Sequence, residues 1–312
     1  MVQAVSRRVF VALAAVGLVG CEDAGPSGRV RLATGPQGGP YKIFGGRLAD
    51  EVHAAHPQID VRVLTTAASV ENLRMLGDGR ADMALSLADS AADAAKGRGP
   101  FRQPVPVAAL ARLYLNYLHL VVPADSSIRR PSDLTGRTVS LGAAESGTSV
   151  TAARVLETAG VRTVRTVWLG LGESADALAV AEVDAFFWSG GAPTRTIAQL
   201  AKRRPVRLIP LEGLVAPLRR SHGAVYQSAS IPAGIYGLHG PTATVGTPSY
   251  LVCRSDFATA TARAVTAVLF ERRDRLPVPD APGSRLDERY AIGTGTVPLH
   301  RGAAAYYREV YG

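Results

Sequence analysis

The feature that most restricts the fold of this chain is a repeated alternation. Short apolar runs rich in Val, Leu and Ile are followed by longer stretches with apolar residues at helical spacing. Strand followed by helix followed by strand requires a mainly parallel sheet covered by helices on both faces, since each crossover returns the chain to the same strand direction. Arg29–Ala33 reads as a first strand, ended by Gly35-Pro36-Gln37-Gly38-Gly39-Pro40. Phe44, Leu48 and Val52 then mark one face of a helix from Lys42 to Ala55. Ile59–Leu64, Ala81–Leu87, Leu118–Val122, Thr138–Leu141, Val164–Leu169, Ala185–Trp188, Val206–Pro210 and Val245–Val252 read as further strands. Helices are expected over Ser69–Leu76, from the loop at Ser146 to Thr158, over Glu173–Ala181 and over Thr259–Leu276, with Pro277–Pro282 as loop. No internal repeat of fixed period is present. Two blocks of alternation, with a late strand able to rejoin the first, predict an α/β protein of two lobes joined by crossing strands near Leu118–Val122 and Thr244–Leu251. Lobe one is expected over 29–118 and 246–312, lobe two over 119–245.

The first twenty residues read as an address. Arg7 and Arg8 precede an uncharged run from Val9 to Val19, and Gly20-Cys21 follows. That run is shorter than the roughly 20 apolar residues of a spanning helix and has the length of a signal-peptide core. Leu18-Val19-Gly20-Cys21 resembles a bacterial lipobox, in which the Cys is acylated and becomes the first residue of the mature chain. Ser6-Arg7-Arg8-Val9-Phe10 also resembles a twin-arginine export signal. Residues 1–20 are therefore expected to be a lipoprotein signal peptide, Cys21 the lipidation site and 21–28 a flexible tether, with the protein exported and anchored by lipid to the outer face of the cytoplasmic membrane.

Composition excludes several functions. With Cys21 lipidated, only Cys253 remains, so no internal disulfide can form, and Cys253 sits in an apolar strand where Cys serves as a small apolar residue. No cluster of Cys, His and acids has metal-ligand spacing, and no cofactor motif is present. Loss of residues 1–20 lowers the formal net charge from +9 to +7. The positive residues fall in short separate patches such as Arg129-Arg130 and Lys202-Arg203-Arg204 without interleaved aromatics, which argues against nucleic-acid binding. Their charge suits an anionic membrane surface better.

Three loops share one design, a strand end, a Gly- or Ser-bearing turn and a helix start: Thr34 through Tyr41, Ala67-Ala68-Ser69-Val70-Glu71-Asn72, and Ser146-Gly147-Thr148-Ser149. In open α/β sheets such loops lie at the carboxyl edge of the strands, where helix amino termini favour anionic groups. Ser69 is well placed as a helix N-cap. The first loop lacks the Gly-Lys-Ser/Thr of a P-loop and the Rossmann spacing. Phe186-Phe187-Trp188-Ser189-Gly190-Gly191 ends a strand with an aromatic and two glycines, where Trp188 serves either the core or a pocket wall.

Taken in order, these segments resemble a known family. Ala33-Thr34-Gly35…Gly38-Gly39…Tyr41, Ser69-Val70-Glu71-Asn72-Leu73, Ser146-Gly147-Thr148, Phe187-Trp188-Ser189-Gly190-Gly191-x-Pro193, Ile231-Pro232-Ala233-Gly234-x-Tyr236, Thr244-Val245-Gly246-x-Pro248 and Pro298-Leu299-His300-x-Gly302 look like the TAXI family, solute-binding subunits of tripartite ATP-independent periplasmic (TRAP) transporters. The resemblance spans Val30 to Tyr307. It implies a type II periplasmic-binding-protein fold, two α/β lobes closing on a small carboxylate such as glutamate or a dicarboxylate, and membrane permease subunits as partners. Carried over by position, Thr34, Tyr41, Ser69 and Asn72 face the cleft from lobe one. Ser146, Gly147, Thr148, Trp188, Gly190 and Gly191 face it from lobe two, and Tyr236 lies near the return crossing. The chain departs from the family at Lys42-Ile43, at Leu87-Ala88 in place of Gln-Ser, and at Ala144-Glu145 in place of Pro-Gly.

Three functions compete at this point. The first is a receptor that captures a small carboxylate for a TRAP-type transporter. The second is a ligand sensor presented to a membrane signalling protein. A secreted hydrolase is the third, and it would need a His partner for Ser146 or Ser149. The six His residues show no such pairing, and no Gly-x-Ser-x-Gly elbow is present. The sequence therefore points to a binding protein, not an enzyme.

Overall fold

The computed structural model describes residues 26–278 and 286–312. The expected signal peptide, Cys21 and most of the tether lie outside the described residues, as does part of the loop expected at Pro277–Pro282. In chain order the elements are β1 Gly28–Ala33, α1 Pro40–Ala55, β2 Ile59–Leu64, α2 Ser69–Gly77, β3 Met83–Leu87, α3 Ala88–Lys96 and the long β4 Val107–Pro123. Then follow β5 Thr138–Ser140, α4 Gly147–Thr158, β6 Arg165–Val167, α5 Leu171–Ala179, β7 Ala185–Gly190, α6 Arg195–Arg203, β8 Val206–Leu208, α7 Val215–His222 and β9 Gln227–Ile231. The long β10 Thr242–Arg254, α8 Thr259–Glu271, α9 Glu288–Ala291 and α10 Arg301–Tyr311 complete the chain.

One continuous sheet runs β2-β1-β3-β10-β4-β7-β5-β6, with β8 beside β4 and β9 beside β10. The parallel strands β1, β2 and β3 form one half and β5, β6 and β7 the other. The two halves are joined by β4 and β10, which pair antiparallel with each other. Both exchange partners at one level. Tyr117 opposes Gly246 and also Gly190 of β7, while Gly246 opposes Gln227 of β9. Gly246 is required there, because a Cβ would lie 2.9 Å from Leu115 Cδ2 and 3.1 Å from the Cβ of Ala229.

Each half is packed on both faces. In the first, Phe44 and Leu48 of α1 and Val265 and Leu269 of α8 bury one face with Leu32, Leu85 and Leu251, and Leu73 and Leu76 of α2 bury the other with Ala84 and Val252. In the second, Val155 and Leu218 pack beneath Leu120 and Phe187, while Leu178, Ile197 and Leu200 cover Val121 and Phe186. Each such side chain contributes about 1.5–3 kcal/mol by leaving water. Cys253 is fully buried in β10, and burial pushes its thiol up, so it acts as an apolar filler.

The strand expected at Leu118–Val122 begins eleven residues earlier, at Val107. Ala108, Ala109 and Ala111 have weak strand propensity, and pairing with β10 decides the conformation instead. The short helices α3, α6 and α7 and the terminal α10 are further elements that the sequence reading did not mark.

Candidate functional site

The loop after β2 and the end of β3 meet the loop before α4 directly. A Cβ on Gly147 would stand 2.5 Å from Ser69 Oγ and 2.7 Å from Leu87 Cδ1, so only glycine lets the two halves approach this closely. Val70 and Glu71, in the first turn of α2, donate their N–H groups to the carbonyl of Glu145 at 3.0 and 3.2 Å. A helix start that a ligand carboxylate could use is thus capped by the opposite half. Glu145 adopts a left-handed φ of 61°, a conformation suited to the glycine expected at that position in the resembled family. Its carboxylate pairs with Arg74 of the opposite half. Ala68, on the facing loop, also has a positive φ, 92°, so backbone strain is concentrated on both sides of this contact.

The sequence-selected residues of the first half divide into two kinds. Thr34 donates its hydroxyl to Leu64 O at 2.6 Å, and Asn72 donates to Thr34 O at 2.6 Å and Leu85 O at 2.7 Å. Thr66 Oγ1 donates to Asn72 Oδ1 at 2.5 Å, so the Asn72 amide ties three strand ends together. Both residues are fully buried. Ser69 is the first residue of α2 and not its cap; its Oγ accepts the N–H of Leu87 at 3.0 Å. Tyr41 reaches from α1 to Ser249 Oγ, 2.8 Å away, and Asn116 Nδ2 donates to the same oxygen at 2.6 Å. Burial pushes the Tyr41 phenol up, and the nearby Asp89 carboxylate adds to the effect.

In the second half Ser146 caps α4, accepting the Ser149 N–H at 3.1 Å, while Ser149 Oγ donates to Ser146 O at 2.7 Å. Thr148 Oγ1 accepts the N–H of Ser189 at 3.2 Å, tying α4 to the end of β7. Trp188 donates its indole N–H to Thr194 Oγ1 at 3.0 Å, and Thr194 in turn donates to Gly191 O at 2.6 Å. The Trp188 ring lies across Gly190, where a Cβ would meet Nε1 at 2.5 Å. Tyr236 OH accepts the Thr194 N–H at 2.6 Å and lies 3.2 Å from His119 Nε2. These bonds of Trp188, Gly191 and Tyr236 stay within the second half. Burial lowers His119 to about 4, so its ring is neutral.

Sequence reasoning missed a polar clasp between the halves. Asp89 Oδ2, on α3, accepts Thr151 Oγ1 at 2.8 Å and Tyr226 OH at 2.9 Å from the opposite half. Arg154 of α4 donates to Tyr226 OH at 3.0 Å, pairs with Asp93 and stands 3.7 Å from Asp89. Burial alone would push this guanidinium down, but Asp89, Tyr226 and Asp93 outweigh it and raise it. Burial raises Asp93, and the like charge of Asp89 adds to this against the pull of Arg154. The acids lie four apart on an Ala-rich helix, a spacing that signals one helical face and nothing more.

Among the described residues no group of three His, Cys, Asp or Glu could hold a metal ion, and no helix is long and apolar enough to cross a membrane. Two surface depressions of about 410 and 440 Å³ are lined by residues such as Arg74, Phe101 and Gln103, and Leu115, Tyr117 and Ser228; none of the sequence-selected residues lines them.

The model of the NMT1-like family matches residues 32–310, and the chain belongs to that family. An ancestral arginine-binding protein bound to arginine superposes with a TM-score of 0.52 at 16% identity, covering 79% of this chain and 93% of its own. XAC2383 from Xanthomonas citri, bound to ATP, gives 0.50 at 16% identity over 91% of this chain and 96% of its own. The periplasmic aliphatic sulphonate binding protein SsuA from Escherichia coli gives 0.46 at 14% identity over 91% and 83%. The fold is that of the periplasmic binding proteins, two α/β lobes joined by crossing strands around a cleft.

Proposed function

From the ordered sequence motifs and the two-lobed fold we propose that the protein is an extracytoplasmic solute-binding lipoprotein of the TAXI type, capturing a small carboxylate for a TRAP-type secondary transporter. The observation that carries the reading is the convergence of helix-start loops from both halves, with Gly147 seated against Ser69 and Leu87. Binding proteins of this fold work by shifting between open and closed forms, and a ligand that prefers the closed form drives the shift. The lobe assignments 29–118 with 246–312 and 119–245 belong to this reading, and the partner exchange at Tyr117 and Gly246 supports them. Titration calorimetry on the chain from residue 22 onward, against a panel of amino acids and dicarboxylates, tests the proposal. A folded protein that binds no member of the panel refutes it.

The lipid anchor belongs to the same reading. Tethering through Cys21 confines the receptor to the surface that holds its permease and raises its effective concentration there. Cys21→Ser is expected to release the protein from membranes in a cell-fractionation assay while leaving ligand affinity unchanged. Retention of the variant on membranes would remove Cys21 as the anchor.

A further inference from the structure

The crossing strands carry a polar array of their own. Asn116 of β4 opposes Thr247 of β10, and Tyr114 and Ser249 lie two residues away on their respective strands. Asn116 Nδ2 reaches Ser249 Oγ at 2.6 Å and Thr247 O at 3.3 Å, which places these groups on one face of the sheet. Tyr41 covers them from α1 through its bond to Ser249, and the Tyr114 phenol lies within electrostatic reach of both Tyr41 and Ser249. The array sits just beside the level where β4 and β10 exchange partners, and Ser249 opposes Leu87, the residue that Gly147 of the other half approaches.

Its hydrogen bonding is unbalanced. Tyr114 OH and Thr247 Oγ1 are buried, yet among the described residues neither makes a hydrogen bond of ordinary geometry, although Ser249 lies close enough to act on the Tyr114 phenol. Buried hydroxyls are almost always paired, and an unpaired one at a cleft calls for an explanation. Tyr41, Tyr114, Thr247 and Ser249 together carry four hydroxyl protons, and the Tyr41–Ser249 bond uses one of them. The Ser249 oxygen already accepts the Asn116 amide N–H, and the hydroxyls of Tyr114 and Thr247 are left without an acceptor. Each of the two unpaired hydroxyls can donate to a ligand oxygen, and an ionised carboxylate has lone pairs to accept from both. Burial holds both phenols protonated, so they remain donors across the physiological range. Asp89, the carboxylate that acts on Tyr41, is already engaged by Thr151, Tyr226 and Arg154.

We infer that Tyr114, Asn116, Thr247 and Ser249, covered by Tyr41, form the subsite that takes a carboxylate group of the ligand through neutral hydroxyl donors. This rests on the solute-binding reading above and adds to it the residues and the manner of recognition. Tyr114→Phe and Thr247→Val each remove one hydroxyl and keep the side-chain shape. Both hydroxyls lack partners in the free protein, so the variants should melt at the wild-type temperature or above. Calorimetry with succinate and L-glutamate should show binding about 10- to 100-fold weaker in both variants, with Thr247→Ser near wild type. Affinities within twofold of wild type in both variants overturn the subsite while leaving the solute-binding reading intact. A weaker affinity matched by a lower melting temperature of the free protein also overturns it, because the hydroxyls would then be structural. If the wild type binds no carboxylate at all, the solute-binding reading has failed and the subsite fails with it.

Discussion

Arg154→Met should open the molecule without unfolding it. Arg154 is the cation of the clasp and joins Asp89 and Asp93 of the first half to Tyr226 of the second. Its side chain is 11% exposed, and those of the two acids are 0% and 11% exposed. Removing one partner of a buried pair costs about 3–5 kcal/mol, because the remaining charge is desolvated and uncompensated. Here the cost falls mainly on the closed form, since separation of the halves returns both carboxylates to water. Asp89 keeps its bonds from Thr151, Tyr226 and the Ser90 N–H, so the lower end is the better figure. About 3 kcal/mol corresponds to a shift of roughly 150-fold between closed and open forms. Small-angle X-ray scattering of the free variant should give a larger radius of gyration than wild type, and ligand affinity should fall by up to the same factor. Superimposable scattering curves with affinity within twofold of wild type would refute the reasoning. A large drop in melting temperature without opening would also refute it, because the clasp would then support the fold itself.

Three further outcomes are expected. Gly147→Ala places a methyl group against Ser69 and Leu87, so it should weaken ligand binding at least tenfold by calorimetry while the melting temperature changes little. Gly302→Ala instead drives a methyl into the carbonyl of Thr259 inside the first half, and thermal unfolding should show a loss of about 1–3 kcal/mol with the closure equilibrium untouched. His119 has a folded-state value of about 4 against the usual 6.5, so its contribution is present above pH 6.5 and is lost as pH falls towards 4. That contribution is about 3 kcal/mol, and urea unfolding of His119→Gln at pH 7 and pH 4 should show a fall in stability smaller than wild type by this amount.

The architecture was legible because burial imposes periodicity. Strands such as Ile59–Leu64 and helices such as Pro40–Ala55 carry apolar residues at the spacing their packing requires. Lines of polar contact impose no such pattern. Asp89 and Asp93 sit in a run of alanines, Arg154 is one of many arginines, and Tyr226 follows a glycine-bearing loop. Only the fold brings them together, across separations of 61 to 137 residues. Thr34 and Asn72 stood out for a different reason. Their side chains hold the ends of β1, β2 and β3 in place, a demand that fixes residue type as tightly as ligand contact does. Polar residues at a strand end therefore announce a constrained position without revealing whether a ligand or the backbone constrains it.

The proposed subsite and the clasp divide the work of binding in a way that single substitutions can separate. The array on β4 and β10 lies where the two halves are continuous, so its geometry is the part of the cleft least altered by opening. The clasp lies between α3 and the segments carrying Thr151, Arg154 and Tyr226, so it forms only as the halves meet. A ligand held by the array in the open form gains affinity from closure in proportion to how far the clasp favours that closure. A clasp of three charges also costs desolvation, which keeps closure finely balanced. Loss of Thr247 or Tyr114 should then reduce affinity by a factor that differs between succinate and L-glutamate. Loss of Arg154 should reduce it by the same factor for every ligand, because closure is common to all of them. Equal factors in the first case, or ligand-dependent factors in the second, would show that recognition and closure are not separate.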